Sequence, residues 1–316
     1  MLNESMFEAD ILSRYWTIDD HFFYNKSDPI YHYTSPDGFM SILQPQNVVL
    51  RFSRYDTLND ESEGKDIFKI YSEVCNDLRH RKLINECFYN EICNLKFREI
   101  DFFRHHNEDD KLWEMRSKQC ERYIRCFSKD KDSLPMWNYY TKEGRYQGYN
   151  IAFSFFESPL HISYIHKTYV DQYNIRIYQV LYRNSDKKKF VEHEILYIYS
   201  KITDFDNQIS LVKSYFSSFL KTMSLVFKSE CFEHENEVRM ILTLPKDQEI
   251  FPVKYRSKDG YIIPYVEYCF PTYTVKSITL GPLLNKETAK EAASSFLEQR
   301  GYSVKTVENS EIPVRY

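Results

Sequence analysis

Only seven glycines, at positions 38, 64, 144, 148, 260, 281 and 301, are spread over 316 residues. None belongs to a Gly-x-Gly-x-x-Gly run or to a phosphate loop ending in Gly-Lys-Ser/Thr. A backbone that cradles a phosphate needs clustered glycines, because a Cβ would block the close approach. The sequence therefore argues against a Rossmann dehydrogenase and against a P-loop nucleotidase. From Asp66 to about Arg125 the chain has neither glycine nor proline and is charged and amphipathic, which predicts two or three helices there.

The remaining segments read as strands and helices in alternation. Residues 29–34 predict a strand, and Ser35 caps a helix to about Leu43 with Pro36 at its first position. Strands are expected at Val48–Ser53, Tyr123–Ser128, 149–156, 161–169, 176–182, 236–244, 261–268, 275–280 and 302–307. Helices are expected near Ser133–Thr141, over Asp206–Phe227 and over 285–300, the last stopping at Gly301. Helical excursions followed by successive strands predict an α+β fold, with one domain over 1–316 and a helical insertion at about 65–120.

The formal net charge of −4 provides no global basic field for nucleic acid. The basic runs Arg79–Lys82, Arg98–Arg104 and Lys187–Lys189 read as solvated faces. Seven cysteines at 75, 87, 93, 120, 126, 231 and 269 include no Cys-x-x-Cys pair, so reduced thiols are expected. The N-terminal MLNESMFEADILSRYW lacks a basic stretch followed by an apolar core, and no apolar run approaches a membrane span. A cytoplasmic protein without membrane contact is expected. The 27 tyrosines and 23 phenylalanines suit a polar-walled cleft, and equally a strand-rich core.

Four constellations carry candidate chemistry. In Tyr31-His32-Tyr33-Thr34, strand alternation puts His32 and Thr34 on one face and the two tyrosines on the other. The second runs from Arg51-Phe52-Ser53 into the acidic turn Asn59-Asp60-Glu61-Ser62-Glu63, read as a ligand-facing loop or as plain turn chemistry. The third joins Cys126-Phe127-Ser128 to Met136-Trp137-Asn138-Tyr139-Tyr140, whose aromatics form either a stacking wall or core. The fourth is Glu233-His234-Glu235-Asn236-Glu237-Val238-Arg239. If it is extended, its three carboxylates share one face with Arg239, which can hold one of them through a bidentate pair. An exposed acidic strand edge is the alternative.

Taken in order, YHYTS, RFS with LNDESEG, CFS with MWNYY, ENEVRMI and ITLGP resemble a bacterial family catalogued as a domain of unknown function. The resemblance spans about residues 30–283 without the helical insertion. That family is in turn similar to the ADP-ribosyltransferase superfamily, through the order histidine, aromatic, glutamate. The resemblance implies a mixed or antiparallel sheet core of that kind and NAD as a substrate. It implies that His32 binds the adenosine-side ribose with Thr34 in support, and that Tyr140, or Tyr139, stacks on nicotinamide. Glu237 would be the catalytic carboxylate, with Glu235 beside it. Tyr33, Arg51, Ser53, Asn59, Ser128, Trp137 and Arg239 complete the expected binding set.

The expected activity is transfer of ADP-ribose from NAD to a macromolecule, by a toxin or anti-phage effector. Nucleic acid, RNA included, is favoured slightly over protein as acceptor because basic and aromatic residues interleave at Arg122–Arg125, Lys142–Tyr149 and Arg176–Arg183. The same resemblance leaves room for an antitoxin protein as partner. Two alternatives stand beside it. One is a metal-dependent nuclease or hydrolase built on Asp60, Glu63, Glu235 and Glu237. The other is a non-catalytic binding module whose carboxylates pair with Arg51 and Arg239.

Overall fold

A computed structural model describes residues 28–57, 66–93, 95, 120–141, 146–155, 175–246, 249–258, 260–284 and 286–314, together with Phe7 and Ile11. The described chain runs β1 (Ile30–Thr34), α1 (Pro36–Ile42), β2 (Leu43–Gln44), β3 (Asn47–Arg54), α2 (Asp66–His80), α3 (Glu86–Ile92), β4 (Cys120–Ser128) and α4 (Leu134–Tyr140). It continues through β5 (Tyr149–Phe153), β6 (Ile175–Gln179), α5 (Asn184–Lys201), α6 (Phe205–Val226), β7 (Glu237–Pro245) and β8 (Lys254–Lys258). The last elements are β9 (Tyr261–Pro271), β10 (Val275–Leu280), α7 (Lys286–Gln299) and β11 (Thr306–Asn309). The architecture is α+β, as expected, with a mostly antiparallel sheet whose β10–β11 pair is parallel.

Local chemistry explains the first elements. The Ser35 Oγ accepts the Gly38 N–H at 3.2 Å, and Pro36 occupies a first-turn position where a missing N–H costs nothing. At the other end of the chain, Gly301 takes φ +80° just after α7, the left-handed stop expected from the sequence.

Two apolar layers hold the fold. One gathers Val48, Leu50, Phe52, Phe127, Ile151, Phe153, Met240 and Val266 on one face of the sheet. The other packs α2, α3, α5 and α6 through Ile70, Leu78, Phe88, Ile195, Phe216 and Leu220, and closes on Ile124 and Ile241 of the opposite face. The expected insertion thus contributes α2 and α3 to a helical layer shared with later elements. Residues 96–119 lie outside the described residues, as do the strand expected at 161–169 and the acidic turn from Asn59 to Glu63.

Four expectations need correction. Residues 184–201 form helix α5, and 254–258 form edge strand β8, neither of which the sequence pattern predicted. The last strand lies at Thr306–Asn309 and not at 302–307. The acidic segment is not extended through Glu233: residues Glu230–Glu235 form a 3-10 helix, and Asn236 turns the chain at φ 44°. Asn takes this left-handed conformation more readily than most residues, and its amide anchors the turn by donating to Asp130 Oδ1, far away in sequence, at 2.9 Å. No described helix is long and apolar enough to cross a membrane.

Candidate functional site

A fork in the sheet creates the site. β7 pairs with β4 along one whole edge, from Cys120–Pro245 to Ser128–Glu237. The other edge is shared: β3 pairs at Ile124 and Tyr123, whereas β1 pairs at Ser128. Between them, Arg125–Phe127 meets no strand on that edge among the described residues. A cleft of about 750 Å³ opens there, a size suited to a small molecule.

His32 and Arg125 fill the floor of the fork. The His32 Nδ1–H donates to the Cys126 carbonyl at 3.3 Å, and Arg125 donates from Nη2 to His32 Nε2. Arg125 Nη1 also reaches the Arg51 carbonyl at 3.4 Å. Burial, then the neighbouring Arg125, hold the imidazole well below its ordinary pKa, so it is a neutral ring with both nitrogens engaged. Tyr33 points away from His32, as alternation requires, and packs edge-on against Trp137 at 4.8 Å between centroids.

The acidic end is a compact charge network. Glu235 and Glu237 are 6% and 3% exposed, so each needs a counter-charge. Lys228 supplies it to both, with Nζ 2.5 Å from Glu235 Oε2 and 3.0 Å from Glu237 Oε2. Arg239, two residues along β7 and therefore on the same face, donates to Glu237 Oε1 at 2.9 Å and Oε2 at 3.1 Å. The bidentate pair expected from the sequence is thus formed. Burial opposes ionisation of Glu237, but Arg239 and Lys228 prevail and bring its pKa down to about 2. Burial likewise works against the Lys228 ammonium, and the two carboxylates overcome it and push its pKa up. Tyr140 completes the network by donating to Glu235 Oε1 at 2.9 Å.

Neighbouring groups lock these positions. Ser128 Oγ donates to the Glu235 carbonyl at 2.7 Å, and the Glu237 N–H donates to the Tyr182 hydroxyl at 2.8 Å. The Cys126 thiol lies beside Glu237; burial, reinforced by that negative charge, pushes its pKa well up and keeps it protonated. Glu233, expected on the same face, instead pairs with Arg183 at 2.9 Å on the surface. The cause is the turn at Asn236, which breaks the period of two.

The expected aromatic wall is only partly realised. Tyr139 and Tyr140 line the cleft, with the Tyr139 ring 5.6 Å from that of His234. Trp137 is fully buried, donates from Nε1 to Asp132 Oδ1 at 2.6 Å, and belongs to the core. Arg239 is also buried away from the cleft surface and reaches the site by its bonds to Glu237.

At the opposite end, Arg51 and Ser53 line the cleft. Arg51 pairs with Glu267 at 3.2 Å, not with the Glu235/Glu237 pair, which corrects the ion pairing expected for a binding module. Ser53 Oγ accepts from Arg256 Nη2 at 3.0 Å. Asn59, Asp60 and Glu63 lie outside the described residues. Among the described residues, no group of three or more His, Cys, Asp or Glu side chains is arranged to hold a metal ion.

Sequence reasoning missed Lys228, Arg256 and Tyr182 as site residues, and named Arg125 only within a run of basic and aromatic residues. Lys228 stands nine residues before Glu237 and meets it only because the 3-10 turn folds the chain back. Arg125 was legible as one basic residue in an aromatic strand, but its entry into the fork depends on which strands flank β4.

Residues 136–240, about a third of the chain, match the model of a family described as a protein of unknown function (DUF2971). The matched stretch begins at Met136 in α4 and ends at Met240 in β7, so it contains Tyr140, Lys228, Glu235 and Glu237. No curated protein and no solved structure matches the chain.

Proposed function

We propose that the chain is an NAD-dependent ADP-ribosyltransferase acting on a macromolecule. The observation that carries this reading is the convergence of His32, Tyr140, Glu235 and Glu237, from three separate segments, on one cleft of small-molecule size. In that reaction the bond between nicotinamide nitrogen and ribose C1′ breaks, and nicotinamide leaves with the electron pair. An acceptor nucleophile then bonds to C1′ and releases its proton. The ribose passes through an oxocarbenium-like state, which a fixed carboxylate in a water-poor site stabilises.

The network suits that demand in a specific way. Glu237 is held ionised by Arg239. Glu235 accepts from Tyr140, whose ring lines the cleft where a nicotinamide would stack. The Lys228 ammonium marks the place between the carboxylates where positive charge is favourable. A sugar cation developing in the cleft would lie beside the same two carboxylates, which line it together with Lys228.

A second reading rests on the same ammonium. Lys228 and Arg239 neutralise Glu235 and Glu237 within the protein, which favours a non-catalytic binding module over a cation-holding metal hydrolase.

The test is incubation of the protein with radiolabelled NAD and a cell extract, beside Glu237→Ala, Glu235→Gln and Tyr140→Phe. The transferase reading expects label on RNA, DNA or protein, reduced on the order of 10²–10³-fold when the charge-stabilising carboxylate is lost. The class of labelled polymer identifies the acceptor. Circular dichroism separates loss of chemistry from loss of folding in each variant. No label and no released nicotinamide from folded wild-type protein moves the assignment to the binding module.

A further inference from the structure

Among the described residues, the cationic end of the cleft has more positive charge than their ion pairs use. Strands β3, β9 and β8 place Arg51, Ser53, Tyr265, Glu267, Lys254 and Arg256 on one face, through the pairings Arg51–Glu267, Ser53–Tyr265, Lys254–Tyr265 and Arg256–Ile263. Arg125 reaches the same region from β4, touching the Arg51 carbonyl. Glu267 is already shared by Arg51 at 3.2 Å and Lys254 at 2.5 Å. Among the described residues, neither Arg125 nor Arg256 has an ion-pair partner.

Two donors make the surplus concrete. The Nε–H groups of Arg125 and of Arg256 are buried and have no hydrogen-bond partner among the described residues. A buried unpaired donor on a cation is costly, and three neighbouring guanidinium groups repel each other unless an anion joins them. Burial comes first among the causes that lower the pKa of Arg125 and Arg256, and the neighbouring arginine charges add to it. The Ser53 hydroxyl and the planar forks of arginine match the geometry of a phosphate oxygen.

We propose that Arg51, Arg125, Arg256 and Ser53 form a phosphate-binding end of the cleft, which seats the diphosphate of a small nucleotide. The size of the ligand follows from the placement. The donors converge at one end of a cleft of about 750 Å³, whereas a polymer's backbone calls for a stripe of separated charges. The inference does not depend on the transferase reading, because it concerns binding of the anion alone.

Isothermal titration of the full chain with ADP, adenosine, inorganic pyrophosphate and a short single-stranded oligonucleotide tests it. ADP and pyrophosphate are expected to bind, with adenosine at least tenfold weaker than ADP. Arg51→Gln, on a strand whose other face buries Leu50 and Phe52, and Arg256→Gln, on the exposed edge strand β8, are each expected to weaken ADP binding roughly tenfold or more. Thermal melting of each variant checks that the fold persists. Equal affinity for ADP and adenosine, or unchanged ADP affinity in a folded Arg256→Gln protein, overturns the proposal. Binding of the oligonucleotide without binding of ADP or pyrophosphate overturns it as well. ADP binding in a protein that never cleaves NAD sustains this site and removes the transferase assignment.

Discussion

Arg239 grips Glu237 from two positions along the same strand, with Nε 2.9 Å from one carboxylate oxygen and Nη2 3.1 Å from the other. Both residues are almost fully buried, so the pair has given up its hydration and depends on mutual contact. Glu237→Gln leaves Arg239 and Lys228 with a single carboxylate between them. A stability loss of about 3–5 kcal/mol is expected, the cost of breaking a buried pair from one side. Urea unfolding of the variant beside wild type measures it, and a loss below about 1 kcal/mol would show that the network is not structurally coupled.

The same network sets an acid limit. Glu237 moves from an ordinary 4.5 to about 2 on folding, so the unfolded chain takes up its proton first. The stabilisation is therefore fully present above about 4.5 and is lost as the pH falls from there toward 2. At about 1.4 kcal/mol per unit, the contribution is on the order of 3 kcal/mol. Wild type should lose that much between neutral pH and pH ~2, beyond the loss in Glu237→Gln, which carries no titrating group there. Parallel slopes for the two proteins would refute the assignment of the ionised state to Glu237.

His32 titrates with the opposite group chemistry but in the same sense. Its folded pKa lies below the ordinary 6.5 because burial and Arg125 disfavour the imidazolium. Below 6.5 the unfolded chain is protonated at this ring while the folded chain is not, so stability falls as the pH drops through 6.5 toward the folded value. The expected signature is a His32 ring that stays neutral, with the Nδ1–H tautomer, from pH 7.5 to pH ~5.5 by nitrogen-detected NMR. A midpoint near 6.5 would show that the Cys126 and Arg125 contacts do not hold in solution.

What the sequence made legible was local. The Ser35 cap, the Gly301 stop and the amphipathic run of α6 depend on neighbours within a few turns, and each was found where expected. Helix α5 escaped because it buries Lys187 and Glu194 among Val191, Ile195 and Ile198, which blurs the apolar stripe. Strand β8, with the sequence KYRSK at the sheet edge, has no apolar alternation to detect. The candidate site was legible as a set of segments but not as a geometry. That Glu235 and Glu237 approach each other follows from Lys228 and from the turn at Asn236, and neither has a spacing signature. The cationic end depends on three strands that meet only in the sheet.

Among the scarce glycines, Gly148 tests the fork. Gly148 lies where the chain enters β5, and a Cβ there would stand 2.5 Å from the Thr34 carbonyl oxygen and 2.5 Å from Thr141 Cγ2. The carbonyl belongs to the backbone of β1, two residues from His32, and cannot swing aside as a side chain can. Gly148 also accepts the Gly281 N–H at 2.9 Å, tying β10 to the same crossing. Gly148→Ala is expected to cost about 1–3 kcal/mol, as overpacking does, and to displace β1 at the cleft wall. Gly260 is the control: a Cβ there meets nothing within 4 Å, and only its φ of +84° resists substitution. Gly260→Ala should cost about 1–2 kcal/mol and leave ligand affinity unchanged. Unfolding curves and nucleotide titrations of both variants separate the outcomes. Equal ligand affinity in Gly148→Ala and wild type would mean that β1 does not shape the cleft.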